Sequence, residues 1–450
     1  LKKEVLSGLI VSVLQVPESL AYASLANLDP LMGLYATFFL GWITGFCGGK
    51  PGLISGAAGI YSTFLSDASV GALAVIMPEI TGDDGQFSAY SRSERIDFLL
   101  VIIILCGLMQ MAFGALGLGS LLRLVPRTVV IGFLNGLAII LAKTQLQSLQ
   151  YCDNSDGRSP LFDKACAVFS ACASDHRVYL DANSAQFWLC LLYVAMVIVV
   201  MKTFHLIPKI GKLIPASLVA AILLGVFIEH VLIRLAFGYD YVARRKYCRS
   251  SNRLVDPIDA LWPDFHVPKA TWGTHEVWLM VRFAAILACI GLLESLLTLQ
   301  VSVPTTNGIK SASLRYHTAT VHPCLCQGIG NLVCGLFYTM GGCAKVGLTM
   351  VNALNGARGR LSAFLAGFAM LFIVLAFTTI ISLIPVAVLS GIIVFASLRM
   401  FEWGVFKMIY YGPVGDAVVL LLTPALAYVY DLATAVIVGV LVVAIVSVLT

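Results

Sequence analysis

Residues 341–347, Gly-Gly-Cys-Ala-Lys-Val-Gly, interrupt an apolar part of the chain and decide how we interpret its fold. A second interruption, Gly-Leu-Ile-Ser-Gly-Ala-Ala-Gly, occupies residues 52–59. A helix that starts inside a membrane presents unpaired N–H groups and a partial positive charge, and small residues let a ligand approach the backbone. Two such helix starts facing each other would form an anion site. The alternative is that these glycines only allow tight helix packing.

Composition places both interruptions in a membrane protein. Of the 450 residues, 59% are hydrophobic and 12% are charged, against about 45–50% and about 25% in soluble domains. This balance excludes a soluble enzyme, a nucleic-acid-binding protein and a disordered scaffold. The net charge of +5 says little about partners, because in a membrane protein the position of each charge matters more than the sum.

The apolar residues fall into segments of the length that a bilayer span requires, which is about 20 residues. We count 14 segments, at 4–23, 30–47, 54–70, 97–117, 124–146, 186–204, 214–236, 277–301, 324–338, 343–354, 361–384, 385–402, 414–430 and 432–449. The third and the tenth are too short or too rich in glycine to span alone. For these two we expect short helices that begin near residues 56 and 344.

The two halves of the chain share local patterns at an offset of seven segments. Residues 16–20, Val-Pro-Glu-Ser-Leu in segment 1, match residues 292–296, Leu-Leu-Glu-Ser-Leu in segment 8. Segments 5 and 12 both carry a Leu-x-Pro with a glycine six residues after the proline. An odd offset makes the two copies inverted in the membrane, and inverted repeats with broken helices are typical of secondary transporters. Chance similarity between membrane sequences is the alternative.

Charges between the segments predict the orientation. With the N-terminal lysines in the cytosol, eleven further Lys and Arg residues fall in cytosolic connections that hold almost no acids, whereas loops 71–96 and 147–185 on the other side are rich in Asp, as the positive-inside rule requires. Loop 237–276 is basic and breaks this pattern, but long loops cross largely regardless of charge. We therefore expect 147–185 to be non-cytosolic.

Cysteines divide between these loops and the apolar segments. In loop 147–185 a disulfide could form among Cys152, Cys166 and Cys172, and Cys248 lies in the other non-cytosolic loop, 237–276. Cysteines in the segments are ordinary buried residues. The pair in Cys324-Leu325-Cys326 lacks the partner pair of a zinc site, so no metal site is expected.

Three ionisable residues lie deep in apolar segments. An ammonium inside a bilayer is costly unless it is paired, so Lys345 is a candidate anion-binding residue; its alternative role is a structural salt bridge to Glu294. The carboxylates of Glu18 and Glu294 either bind a proton or Na⁺ that is coupled to an anion, or balance Lys345. Thr298 lies one turn beyond Glu294 and is a candidate Na⁺ ligand, although a threonine hydroxyl more often bonds its own helix.

Several motifs together resemble those of the SulP sulfate-permease family. Residues 15–23, Gln-Val-Pro-Glu-Ser-Leu-Ala-Tyr-Ala, and 29–36, Asp-Pro-Leu-Met-Gly-Leu-Tyr-Ala, resemble its opening signature. Residues 49–59 resemble its third helix and 291–298 its eighth, and 341–362 resemble the tenth helix of a bacterial-type branch. The resemblance covers nearly the whole chain in order.

This resemblance implies an all-α polytopic membrane protein of 14 transmembrane segments in seven-plus-seven inverted repeats, similar to uracil permease, with broken helices 3 and 10. A core domain would comprise 1–120 (helices 1–4) and 277–384 (helices 8–11). A gate domain would comprise 121–236 (helices 5–7) and 385–450 (helices 12–14), and 237–276 would be a non-cytosolic loop. Relatives are usually homodimers, and most add a cytosolic STAS domain after helix 14. Both ends of this sequence fall within apolar stretches, so we expect a longer parent chain.

The resemblance also implies a function. It predicts a secondary active transporter that moves a small inorganic anion, sulfate or bicarbonate, by elevator-type alternating access, coupled to Na⁺, to H⁺ or to a counter-anion. The alternative on the same fold is an anion channel or a voltage-responsive protein. No phosphate-binding loop, His-Glu-x-x-His motif or nucleophile elbow is present, so we expect neither an enzyme nor a cofactor other than Na⁺ as a coupling ion. We expect the protein in the plasma membrane or an organelle membrane.

Motif by motif, the resemblance assigns the site residues. The substrate site falls on Glu18, Tyr22, Ala57, Ala58, Val346, Gly347 and Leu348, and the cation site of a Na⁺-coupled bicarbonate branch falls on Glu294 and Thr298. Animal-type members have an arginine where this chain has Leu348, and the bacterial-type branch usually has an uncharged residue where it has Lys345. The positive charge would thus have moved one turn towards the helix start. A carboxylate present in many relatives is here Val303.

Overall fold

The structure describes most of the apolar segments and little of the long loops. In the computed structural model the described residues are 1–26, 28–47, 51–66, 92–117, 126–145, 150–152, 177–179, 185–203, 227–228, 248–249, 262–263, 265–268, 274–306, 314–382, 386–429 and 432–449. Nearly all of the predicted segment 214–236 and most of the three predicted non-cytosolic loops, with Cys166 and Cys172, lie outside them.

Helices dominate the described part of the chain. They are α1 (Lys2–Leu25), α2 (Pro30–Cys47), α3 (Gly59–Ser66), α4 (Arg92–Ala115), α5 (Arg127–Thr144), α6 (Ala185–Thr203), α7 (Thr274–Thr306), α8 (Leu314–Leu336), α9 (Val346–Leu354), α10 (Leu361–Ser382), α11 (Val386–Met400), α12 (Val405–Tyr411), α13 (Val414–Val429) and α14 (Leu432–Leu449). The strands are short: β1 (Ser55–Gly56), β2 (Gln150–Cys152), β3 (Arg177–Tyr179), β4 (Cys248–Arg249) and β5 (Cys343–Ala344).

Most predicted segments agree with these helices to within a few residues. One is wrong at its start: the segment expected at 324–338 is part of α8, which begins at Leu314. The residues before 324 include Arg315, His317 and His322, and this polarity hid the helical continuation. The short helix α12 was not predicted. Five described stretches are long and apolar enough to cross a membrane: Lys2–Ala23, Pro30–Cys47, Ile96–Ala115, Val277–Leu299 and Ala387–Tyr411.

Local capping explains the sharp turn between the first two helices. The carboxylate of Asp29 accepts the backbone N–H of Leu31 at 2.9 Å, and Pro30 takes the first helical position, where a missing N–H costs nothing. The Asp-Pro pair thereby fixes the start of α2, and α2 returns against α1.

The helices pack in two groups. Around β1 and β5 lie α1, α2, α4, α7, α8 and α10, with α8 packed along α4 and α10 packed along α2 and α1. In the other group α13 packs against α5 and α14, and α11 packs against α5 and α6. The domain boundaries given by the resemblance stay a prediction, as does the arrangement in two inverted halves.

A small three-stranded sheet joins two of the long loops. Strand β2 pairs antiparallel with both β3 and β4, and the Cα partners of Cys152 are Arg177 in β3 and Cys248 in β4. Residues 150–152 and 248–249 therefore meet, although about a hundred residues separate them in the sequence.

Candidate functional site

The two interrupted segments cross as an antiparallel pair of strands. Ser55 lies opposite Ala344, and Gly56 lies opposite Cys343. A Cβ on Gly342 would overlap the carbonyl oxygen of Gly56, so glycine is required where the two backbones meet. Helix α3 starts three residues after β1, and α9 starts two residues after β5. The expectation of short helices that begin near residues 56 and 344 is confirmed.

Side-chain amides from α8 hold this crossing. Asn331 accepts the N–H of Gly342 at 2.9 Å and donates to its carbonyl at 3.0 Å, and Gln327 donates to the same carbonyl at 2.8 Å. The Asn331 amide also donates to the side chains of Gln110 and Tyr61. All of these groups are buried, and buried polar groups are costly unless they are hydrogen-bonded. The sequence analysis did not predict a role for these amides. An amide side chain inside an apolar segment was the feature that could have pointed to them.

Strand β1 is held by a second set of polar side chains. The Ser55 hydroxyl donates to the side-chain oxygen of Gln327 at 3.2 Å. The backbone carbonyl of Ser55 accepts a hydrogen bond from the side-chain amide of Gln15 at 3.4 Å. The N–H of Ala57 donates to the hydroxyl of Thr37 at 3.1 Å. The connection into α3 is therefore fixed by α1, α2 and α8 together. None of these three partner residues was predicted.

Lys345 forms an ion pair with helix α1. Its Nζ lies 3.0 Å from Oε2 of Glu18 and 5.0 Å from the centre of the Tyr22 ring. The side chain of Lys345 is 7% exposed and that of Glu18 is 20% exposed. The alternative pair of Lys345 with Glu294 is wrong, because Glu18 reaches the ammonium from one turn before Tyr22 on the same face of α1. Three predicted site residues are thus brought into direct contact.

Glu294 has other partners. Its Oε2 accepts a hydrogen bond from the thiol of Cys343 at 2.8 Å. One turn along α7, the hydroxyl of Thr298 donates to the Glu294 carbonyl at 2.8 Å and approaches the Ala344 carbonyl at 3.3 Å. The Ala344 N–H donates to the hydroxyl of Ser295 at 3.2 Å. Helix α7 therefore binds the N–H and the carbonyl of Ala344 and the side chain of Cys343.

The start of α9 is open on one side. Lys345 is the residue before the first turn, and its side chain does not cap the helix; the first N–H groups of a helix have no partner within it. Gly347 is exposed, and a Cβ added there would meet nothing within 4 Å. Val346 is half-buried, whereas the side chain of Leu348 is buried and packs against apolar residues of α1 and α10.

The start of α3 is closed. Ala57 and Ala58 are buried, with at most 1% of either exposed. A Cβ on Gly59 would lie 3.1 Å from Leu141 of α5 and 3.2 Å from the Tyr22 ring. Access to the crossing is therefore wider on the α9 side, next to Lys345.

The site combines two carboxylates with one ammonium. Lys345 is the only lysine or arginine in residues 53–62 and 341–348, which form the strands and first turns of the two broken helices. Ionisable groups inside a membrane protein mark substrate or ion pathways. Two helix starts that meet beside such groups, within apolar helices, are the arrangement typical of membrane transporters.

The chain belongs to the sulfate permease family, whose sequence model matches residues 1–423. It is 28% identical over 444 residues to a putative sulfate transporter, YbaR, of Bacillus subtilis, covering 98% of this chain and 76% of that one. It is 25% identical over 448 residues to the bicarbonate transporter BicA of Picosynechococcus, covering 98% and 69%. These relatives are transporters and not enzymes, and the chain is an integral membrane protein.

Solved structures show the same fold. The transmembrane domain of a cyanobacterial bicarbonate transporter, BicA, matches with a TM-score of 0.69 at 22% identity, over 98% of this chain and 96% of that one. The murine anion transporter Slc26a9 in its inward-facing state matches with a TM-score of 0.74 at 18% identity, over 100% and 68%. At these identities the likeness concerns the fold alone.

Proposed function

We propose that the protein is a secondary active transporter that carries a small inorganic anion, sulfate or bicarbonate, through the site between α1, β5 and α9. The observation that carries this proposal is the Lys345 ammonium, held by Glu18 at the open start of α9. A full positive charge there adds to the partial charge of the helix start. Gly347 leaves room for an anion against the backbone N–H groups.

The charge at the site gives a reason for coupling. With both carboxylates ionised, Glu18, Glu294 and Lys345 sum to one negative charge, which opposes the entry of an anion. A cation or proton that binds beside the anion, or a counter-anion that leaves as it enters, removes this opposition. Glu294 is the candidate coupling residue because Lys345 already balances Glu18. We therefore propose that a cation or proton bound at Glu294 is coupled to the movement of the anion.

For the movement itself we propose elevator-type alternating access. The crossing strands are bonded to α1, α2, α7 and α8 by many buried hydrogen bonds, so this group of helices is suited to move as one body. The packing of α3 against α5 and of α1 against α11 joins the two groups of helices, and these contacts would have to break. We further propose that the protein is a homodimer in the plasma membrane, as the family resemblance implies.

Uptake into proteoliposomes tests the proposal. Purified protein would be reconstituted, and the entry of radiolabelled sulfate and of radiolabelled bicarbonate would be followed under imposed gradients of Na⁺, of pH and of unlabelled anion. We expect saturable uptake that follows one of these gradients and is lost in Lys345→Met. Non-saturable, voltage-driven anion current would instead favour the channel alternative. No flux of either anion would reject the proposal.

A further inference from the structure

The sodium site that the family resemblance implies does not fit the donor atoms around Glu294. Na⁺ is a hard cation that takes oxygen ligands, such as carboxylates, carbonyls and hydroxyls, whereas sulfur ligands suit soft metals. Here the atom hydrogen-bonded to the Glu294 carboxylate is the Cys343 sulfur, 2.8 Å from Oε2. The sulfur thus lies where a ligand oxygen would have to be.

The remaining donors near Glu294 do not compensate. The oxygens left for a cation there are the Thr298 hydroxyl, which donates its hydrogen to the carbonyls of Glu294 and Ala344, and the second lone pair of the Ala344 carbonyl. Ser295 donates to the Gly291 carbonyl at 2.8 Å and accepts the Ala344 N–H. An incoming Na⁺ would have to displace the thiol and would gain few free oxygens for its lost water.

Packing keeps the sulfur in place. Cys343 is fully buried, and its backbone is fixed in β5 by the pairing with Gly56. The fixed backbone and the close packing hold the Cys343 thiol beside the Glu294 carboxylate.

We infer that Cys343 determines ion selectivity by keeping Na⁺ from the Glu294 carboxylate, so that transport by this protein does not depend on Na⁺. The inference rests on the proposed function only in placing Glu294 at the transport site. Replacing the sulfur with a hydroxyl oxygen supplies the hard ligand that is missing. Cys343→Ser should consequently create sodium binding that the natural chain lacks.

Thermal unfolding of the purified, full chain tests this without any transport. The midpoint Tm is measured in sodium chloride and in choline chloride at equal ionic strength, for the natural protein, Cys343→Ser and the double variant Cys343→Ser/Glu294→Gln. A ligand that binds only the folded state raises Tm, here by about 2 °C at saturation. We expect this rise in Cys343→Ser alone. The matched control is Cys334→Ser, a buried cysteine of α8 whose thiol donates to the Ala36 carbonyl at 4.0 Å; this variant should show no rise.

Two results would overturn the inference. One is a sodium-specific rise of Tm in the natural protein that disappears in Glu294→Gln, and this comparison holds even if Cys343→Ser does not fold. The other is a folded Cys343→Ser protein without any sodium response. In proteoliposomes, uptake of radiolabelled sulfate should be unchanged when choline replaces Na⁺ and should become sodium-stimulated in Cys343→Ser. Absence of uptake in every variant would reject the proposed function and leave the Tm result valid.

Discussion

Lys345 and Glu18 stand 327 positions apart in the sequence, and their side chains meet with Nζ 3.0 Å from Oε2. The pair joins the start of α9 to the middle of α1 across the antiparallel strands. It also leaves Glu294, the second carboxylate of the site, to the thiol of Cys343. The division of two carboxylates between one ammonium and one thiol is the basis of the first prediction.

Removing either charge of this pair should destabilise the protein. Lys345→Met or Glu18→Gln leaves the other charge without its partner, at a cost of about 3 kcal/mol. The double variant Lys345→Met/Glu18→Gln should regain most of the lost stability, because neither charge is then left alone. The double variant Lys345→Met/Glu294→Gln should regain little. Thermal unfolding of the singles and both doubles measures the coupling. A fully stable Lys345→Met that transports normally would remove Lys345 from the site.

The amide of Asn331 should be essential to the crossing. Asn331→Leu removes its bonds with Gly342, Tyr61 and Gln110. The Gly342 N–H and the side-chain oxygen of Gln110 lose their buried partner, at a cost of roughly 1–3 kcal/mol for each. We expect poor expression or a strongly lowered Tm. The control is Ser62→Ala, whose buried hydroxyl bonds only its own helix at the Ala58 carbonyl. Equal Tm values for the two variants would contradict this view of Asn331.

Two glycines of one motif should behave in opposite ways. Gly342→Ala places a methyl group into the Gly56 carbonyl, and overpacking of this kind costs about 3 kcal/mol or more when backbone has to move. Gly347→Ala meets open space and should fold like the natural protein. Size-exclusion profiles and Tm values check both. On the proposed function Gly347→Ala should still weaken anion binding, because the methyl group occupies part of the space left for the anion.

Glu4 should anchor the start of α10 from the first turn of α1. Its carboxylate accepts the backbone N–H groups of Arg358, of Gly359 at 2.7 Å and of Ser362 at 3.1 Å. Glu4→Ala frees these groups, and we expect a loss of about 2 kcal/mol. Hydrogen exchange of amides 358–362 should accelerate. The exposed neighbour Lys2→Ala is the control, and unchanged exchange in Glu4→Ala would refute the anchor.

Much of the fold could be predicted from the sequence because its signals are local. Hydropathy located most of the helices that the structure describes, and the two glycine-rich interruptions located the broken helices, because glycine and short apolar runs act on the backbone within a few residues. The start of α8 was misplaced for the same reason: the polar residues in 314–323 resemble a loop when only local composition is considered.

The sequence by itself determined that this is a membrane protein, that its third and tenth segments are broken, and that Lys345, Glu18 and Glu294 are its unusual buried charges. Only the tertiary structure decided which of these charges pair. That choice depends on the register of β1 with β5, which places Lys345 beside α1 and Cys343 beside α7. Register is set by contacts between residues hundreds of positions apart, such as Ser55 with Gln327. No local pattern specifies such contacts, because they exist only once the helices have packed.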